Sequence, residues 1–376
     1  DSLQQAHEVS SGPYQRVHQS VIPYVVLVGL MLLLTGLYYR DQRFEGLYQL
    51  FTFILLVGFA GLRVGLGQDY EVYENGYNWI TSESFQAFEP LWRGVILGMR
   101  ALGMSFRSFM LLTSAITIAL FFQGIRRLSI SYPLGVLFFV LWGTGYLETL
   151  NGVRQCLALM ITFATFHLYV ERRYWRFFLW VVLSCLVHSS SVIWLLILPM
   201  MAIRWDWRVL TALLVVTLAI GNPLFKVVGH VLEPILPERY SFYISSDGWE
   251  THQGWVNVLT QNGMAILCLI GSLYLNKERD RVTHLAILLI AFSSMIYNCT
   301  LSSSVAMRFM YNPGIMVCVA LPNLLLSAKD KWYQLAIAGV MILYFIFTVN
   351  SVMDPGSSLH TYRWIYDEYI YTPTLW

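Results

Sequence analysis

Ten stretches of this chain, near residues 21–39, 47–64, 108–125, 132–148, 152–170, 209–222, 255–275, 284–300, 309–327 and 333–351, are apolar and almost free of charge. A helix needs roughly 20 such residues to cross the hydrocarbon core of a bilayer, and only helices or closed barrels satisfy every backbone polar group there. The runs are continuous rather than alternating, so the expected fold is all-α and polytopic: one membrane domain over residues 1–376 with about ten full spans. Only 12% of the residues are charged, where a soluble domain carries about 25%. A net charge of +2, with the basic residues in short clusters, gives no basis for binding nucleic acid. The first twenty residues are polar, and no cleavable signal is read before Val21.

Two segments depart from the spanning pattern. Residues 89–104 carry Arg93 and Arg100 at amphipathic spacing, which predicts a helix lying at the membrane surface. Residues 177–203 are long enough for one span, but His188-Ser189-Ser190-Ser191 interrupts their middle. Six basic clusters (Arg40/Arg43, Arg126/Arg127, Arg172/Arg173/Arg176, Arg204/Arg208, Lys277/Arg279/Arg281 and Lys329/Lys331) hold more than half of the 24 basic residues. Cytoplasmic loops carry the excess of Lys and Arg. All six clusters share one side only if 177–203 is a re-entrant pair of short helices meeting at His188, which leaves both termini outside the cytoplasm. A continuous span there would strand half of the clusters on the wrong face.

No internal repeat or low-complexity tract is visible. Three segments are expected outside: loops 65–90 and 223–254, and the C-terminal tail 352–376. Each mixes aromatics with acids. The first holds Asp69, Tyr70, Tyr73, Tyr77 and Trp79; the second Tyr240, Phe242, Tyr243, Asp247 and Trp249, with Trp255 beyond it; the tail Asp354, His360, Tyr362, Trp364, Tyr366 and Asp367. Sugar C–H faces pack on aromatic planes and sugar hydroxyls seek carboxylates, so glycan contact is expected, although a headgroup-level aromatic belt would account for any single residue. The five cysteines stand alone in apolar runs with no metal-ligand spacing, which predicts inert thiols and neither disulfides nor a zinc site.

Ionisable residues inside or at the edge of the apolar runs narrow the function. Arg63, Glu148, Arg154, His188 and Arg308 are all so placed, and a charge at membrane depth costs several kcal/mol unless it faces protein or water. Three arginines with a carboxylate and a histidine suit a place where an anion is held and a proton moved. Glu148, Asn151 and Gln155 are spaced i, i+3, i+7, one helical face with Arg154 beside it, at a helix start where anions are favoured. A Glu148–Arg154 ion pair stapling two helices is the structural alternative. Arg63 closes the second span in a glycine-rich stretch ahead of Asp69 and Tyr70, where backbone can approach a ligand closely. His188 has Ser184 and Ser191 near its face, able to fix its tautomer. Phosphate-cradling glycine loops and zinc-protease or hydrolase signatures are missing, so nucleotide chemistry is not expected.

At these residues the chain resembles the EpsG-like family of bacterial polysaccharide polymerases, the Wzy-type enzymes. The matching pieces run Arg63-Val-Gly-Leu-Gly-Gln-Asp69-Tyr70-Glu-Val-Tyr73, then Glu148-Thr-Leu-Asn151-Gly-Val-Arg154-Gln155-Cys-Leu-Ala158, then His188-Ser-Ser-Ser191, within roughly residues 20–350. The resemblance implies a GT-C-like glycosyltransferase of the bacterial inner membrane. Such an enzyme joins oligosaccharide repeat units carried on undecaprenyl pyrophosphate at the periplasmic face, for O-antigen or exopolysaccharide, with no cofactor and no metal. A flippase and a chain-length regulator are the partners it implies. Arg63, Arg154 and Arg308 would hold the pyrophosphate, with Asp69, Glu148 or His188 as the base and Tyr70, Tyr73, Asn151, Gln155 and Ser191 in support. Two other activities fit the same charges: a flippase for the lipid-linked oligosaccharide, or a membrane O-acyltransferase acting on the glycan.

Overall fold

The computed structural model describes residues 21–78, 88–232, 253–275 and 280–353, together with Leu359 and Tyr362. Its regular elements are all helical: α1 (Ile22–Arg40), α2 (Glu45–Gly61), α3 (Tyr70–Asn78), α4 (Pro90–Ala101), α5 (Phe106–Leu128), α6 (Tyr132–Leu141), α7 (Glu148–Asn151), α8 (Val153–Thr165, continued by His167–Val170), α9 (Tyr174–Val187), α10 (Ile193–Met201), α11 (Trp207–Leu232), α12 (Trp255–Gly271), α13 (Arg281–Cys299), α14 (Ser304–Met307), α15 (Tyr311–Gly314), α16 (Val317–Ser327) and α17 (Lys331–Met353). Among the described residues eight helices are long and apolar enough to cross a membrane, and nine if α14–α15 and α16 form one bent span. The protein is an all-α, multi-pass membrane protein.

Burial sorts the helices. The α8 and α13 spans are 78% and 72% buried inside the protein, whereas α11 and α17 are each 17% buried. Helices apolar all round belong in the interior, and those with one exposed apolar side belong against lipid. Aromatic stacking ties the centre together, with Phe121 lying 3.8 Å from Phe139 and 5.6 Å from Phe163 between ring centroids.

Two of the ten expected spans change character. The run 132–148 is helical only to Leu141, because Gly143 and Gly145 let the backbone turn: the Gly145 N–H donates to Trp142 O at 2.8 Å and the Tyr146 N–H to Phe139 O at 2.9 Å. Tyr146 then locks the turn by donating its hydroxyl to Leu56 O at 2.7 Å. The run 309–327 is bent by 42° after Pro313-Gly314. In the other direction, α11 continues through Pro223 to Leu232, so the external loop expected from 223 begins later; Leu224, Val227, Val228 and Val231 keep this extension apolar and exposed.

The chain reverses at His188. A continuous helix would separate Phe177 from Trp194 by about 25 Å at 1.5 Å per residue, yet their ring centroids lie 5.6 Å apart. The 3₁₀ turn Ser189–Val192 makes the bend, and α10 folds back beside α9. Ahead of the site, α4 is amphipathic, burying Trp92, Ile96 and Met99.

The aromatics expected to meet sugar divide. Tyr70, Tyr73 and Tyr77 are buried with Trp92, Phe106 and Phe109 in a core of their own, and are not free for glycan in this arrangement. Tyr362 is buried against Phe59 at 4.2 Å between centroids, whereas Trp255 is exposed. Trp79, Tyr240, Phe242, Tyr243, Asp247, Trp249, Asp354, His360, Trp364, Tyr366 and Asp367 lie outside the described residues.

Candidate functional site

The loop from Leu62 to Asp69 owes its path to two glycines in the left-handed region, Gly65 at φ +61° and Gly67 at φ +101°. A Cβ on Gly67 would run into the Leu150 carbonyl oxygen, so only glycine lets the loop lie this close to α7. The Gln68 N–H seals the contact by donating to Asn151 Oδ1 at 2.7 Å. Asp69 is thereby brought close enough for its charge to act on Glu148: the charges acting on the half-buried Glu148 carboxyl are Arg308, attractive, and Asp69, repulsive.

The expected i, i+3, i+7 face is not carried by one helix. The chain breaks at Gly152 (φ −89°, ψ 61°), leaving Glu148 and Asn151 on α7 and Arg154 and Gln155 at the start of α8. Each side chain serves a different junction. Asn151 holds the loop, and buried Gln155 donates Nε2 to the carbonyl of Arg308 at 2.7 Å. That bond fixes the 3₁₀ turn Arg308–Met310 against α8.

Arg154 does not pair with Glu148. Its Nη1 lies 2.8 Å from Glu89 Oε2, with both side chains largely buried (16% and 11% exposed). The guanidinium carbon stands 4.7 Å from the Phe88 ring centre and 5.7 Å from that of Tyr73. The second oxygen of Glu89 accepts the Ser189 N–H at 3.0 Å. Glu89, in the turn before α4 and outside every candidate span, therefore joins the surface helix, α8 and the reversal. Burial opposes its ionisation, but Arg154, His188 and the Ser189 N–H together hold its carboxyl below the usual value. Spacing did not mark Glu89; Glu89-Pro90 reads only as a helix start.

At the reversal, His188 Nδ1 accepts the Ser190 N–H at 3.2 Å and lies 2.8 Å from the Ser190 hydroxyl. Ser190, not the expected Ser184 or Ser191, fixes the ring. With Nδ1 accepting, the neutral imidazole carries its proton on Nε2. Ser184 and Ser191 bond each other at 2.6 Å, and Asn312 reaches across from α15, its Nδ2 donating to Ser190 O at 3.2 Å. Asn312 is a second site neighbour that sequence spacing did not mark.

The remaining arginines differ sharply. Arg63 is 2% exposed. Its Nη1 donates to Ala60 O, its Nε to Leu66 O at 3.3 Å, and the nearby phenols of Tyr70, Tyr146, Tyr362 and Tyr73 act on its charge. Arg308 is half-buried and forms no ion pair among the described residues; its charge acts on both Glu148 and His188. One site therefore gathers Asp69, Glu148, Arg154, His188 and Arg308, with Arg63 set behind it under the tyrosines. No cluster of His, Cys, Asp or Glu placed to hold a metal occurs among the described residues.

Helix ends meeting in one charged cluster, inside a bundle that crosses the membrane many times, define a polytopic membrane protein with a charged site at one end of its helices. The profile of the EpsG family matches residues 46–365, and the chain belongs to that family. Membership makes it a polysaccharide-polymerase type of membrane protein, with lipid-linked saccharides as the class of substrate. Neither a curated protein nor a solved structure matches the chain.

Proposed function

We propose that the protein is a Wzy-type polymerase of the bacterial inner membrane, joining oligosaccharide repeat units carried on undecaprenyl pyrophosphate with the site open to the periplasm. The observation that carries this reading is Arg308: a half-buried guanidinium with no ion pair among the described residues, whose charge acts on the Glu148 carboxyl and the His188 imidazole. A forked donor in that position is suited to a diphosphate.

In the reaction, a hydroxyl of the incoming repeat unit attacks the anomeric carbon of the growing glycan. The carbon–oxygen bond to undecaprenyl pyrophosphate breaks, and the carrier leaves with the bonding pair. Arg308 meets the charge that develops on that leaving group, and Arg154, packed against Phe88 and Tyr73, supplies a second cation. Glu148, under the attraction of the Arg308 charge, accepts the hydroxyl proton, and Asp69 orients the acceptor sugar. His188 fits a donor role better than that of base, since its Nδ1 is already occupied by Ser190 and its Nε2–H is left to reach an anionic oxygen. Arg63, enclosed by phenols, braces the loop that carries Asp69. Tyr70 and Tyr73 pack that loop, while Asn151, Gln155 and Ser191 hold its neighbours in register.

Purified protein in detergent, given two lipid-linked repeat units, is expected to form the linked product. Arg308→Ala is expected to lower kcat/KM about 100-fold or more, as loss of one charge-stabilising donor does elsewhere. Translocation of the lipid without linkage would favour a flippase, transfer of a labelled acetyl group would favour an acyltransferase, and either outcome ends the polymerase reading.

A further inference from the structure

Gln155 is 2% exposed, and its two amide atoms fare differently. Nε2 donates to the Arg308 carbonyl at 2.7 Å, whereas Oε1, equally buried, accepts no hydrogen bond among the described residues. The opposite orientation of the amide would set two acceptor oxygens against each other, so Oε1 is turned away from Arg308 O. Glu148 stands on that side. A Cβ on Gly152 would lie 3.0 Å from Glu148 Oε1 and 3.6 Å from Gln155 Oε1, so the two oxygens converge on one point at the helix break. A buried carbonyl without a donor is costly, and folded proteins seldom leave one. A carboxylate cannot supply that donor. A carboxylic acid can.

We propose that Gln155 is the positioning residue of Glu148: its Oε1 accepts a hydrogen bond from the carboxyl whenever Glu148 carries a proton. The inference deepens the polymerase reading, which it needs only for the source of that proton. In that reaction the acceptor hydroxyl gives its proton to Glu148 as its oxygen bonds to the anomeric carbon. The new O–H of Glu148 then donates to the amide, and no proton passes beyond the carboxyl. Arg308, on its turn, favours the carboxylate, and Asp69, on the glycine loop, opposes it. Cys156 of α8 and Tyr311 of α15 also stand near enough to feel the Glu148 charge. Glu148 lies outside every candidate span, and burial raises its pKa to about 7 against the pull of Arg308. The acid form is thus within reach near neutrality, and Gln155 is the neighbour shaped to hold it. Through Nε2 the same amide grips the turn of Arg308, so the base and the leaving-group cation keep a fixed geometry.

Infrared difference spectra of the full chain in detergent, taken between about pH 5 and 9, test this without any substrate. Wild type is expected to gain a carboxylic-acid band as pH falls through about 7, and Glu148→Gln to lack it. Gln155→Met is expected to move the band to higher wavenumber and its midpoint down by about one pH unit, the scale of one lost hydrogen bond. Gln155→Met also frees the Arg308 carbonyl, so Ser293→Ala is the control. Ser293 Oγ donates to Met310 O at 2.8 Å, and its loss loosens the same turn from α13 while leaving the amide in place. A wild-type spectrum without the band, a band unmoved in Gln155→Met, or one moved equally by Ser293→Ala overturns the proposal. Should the variants not fold, wild type labelled with carbon-13 glutamine decides: a side-chain amide band is expected to shift in step with the acid band, and no such shift refutes the pairing. In the linkage assay, the acid limb of kcat/KM should move to lower pH by the same interval in Gln155→Met. Spectra as expected, with no linked product from any pyrophosphate donor, would sink the polymerase reading and leave the Glu148–Gln155 pair standing.

Discussion

Arg154 lies between two aromatic rings and a carboxylate, so its guanidinium plane is set before any ligand arrives. Its partner, Glu89, carries no mark in the sequence spacing, which offers Glu148 only as an alternative ion pair. Arg154 itself is conspicuous as a charge in an apolar run, but a carboxylate 65 positions away, before a proline, carries no periodic signal that links the two. A Glu148–Arg154 pair stapling two helices was the alternative; the break at Gly152 does put the two residues on different helices, but Arg154 turns to Glu89 instead. The role of Glu89 is positional, and it can be isolated. Glu89→Gln keeps the shape but leaves Arg154 as an uncompensated buried charge, a loss of about 3 kcal/mol. Because the folded protein holds the Glu89 carboxyl below its unfolded value, the stabilisation is complete above the ordinary carboxylate range and fades as pH falls through the depressed value. The melting temperature of Glu89→Gln in detergent should therefore lie well below wild type near neutrality, with the gap closing below about pH 4. A gap of constant size across that range would mean that Glu89 acts through packing alone.

Among the elements, long uninterrupted helices were the most legible. Apolar length alone located α1, α2, α5, α8, α11, α12, α13 and α17, since a continuous apolar run, as against an alternating barrel strand, satisfies its backbone in hydrocarbon only as a helix. Short helices were harder, because hydropathy does not show where a glycine-assisted turn such as Gly143–Gly145 ends a helix early. The reversal at His188 was read indirectly, from the sidedness of the basic clusters, and the structure supplies its own measure in the Phe177–Trp194 contact. A double-mutant cycle tests it: Phe177→Ala and Trp194→Ala should show a coupling of about 1 kcal/mol in unfolding free energy, the worth of an edge-to-face aromatic pair. Two rings on a straight helix would sit about 25 Å apart, and additive effects of the two substitutions would argue for that arrangement.

For the whole molecule, the directions of four elements place the site. Helix α2 starts beside Arg43 and ends at the loop of Arg63; α8 starts at Arg154 and runs to the turn at Arg172 and Arg173; α9 starts at Tyr174 beside Arg173 and ends at His188; α13 starts at Arg281 and leads out toward Arg308. Each carries a basic cluster at one end and a site residue at the other. The charged cluster and the arginine-rich loops therefore occupy opposite ends of the bundle, whichever compartment each end faces. If the loops face the cytoplasm, as an excess of Lys and Arg demands, the site opens outward, as the proposed periplasmic polymerase requires. The expectation is checked in a background lacking the five native cysteines. Cysteine at Gln68, exposed in the glycine loop over the site, should react with a membrane-impermeant maleimide in intact cells. Cysteine at Arg43, whose side chain is 88% exposed at the opposite end, should react only after the membrane is opened. The reverse pattern would place the arginine-rich loops outside, against their charge, and would put Arg308 on the cytoplasmic side, where a periplasmic polymerase has no use for it.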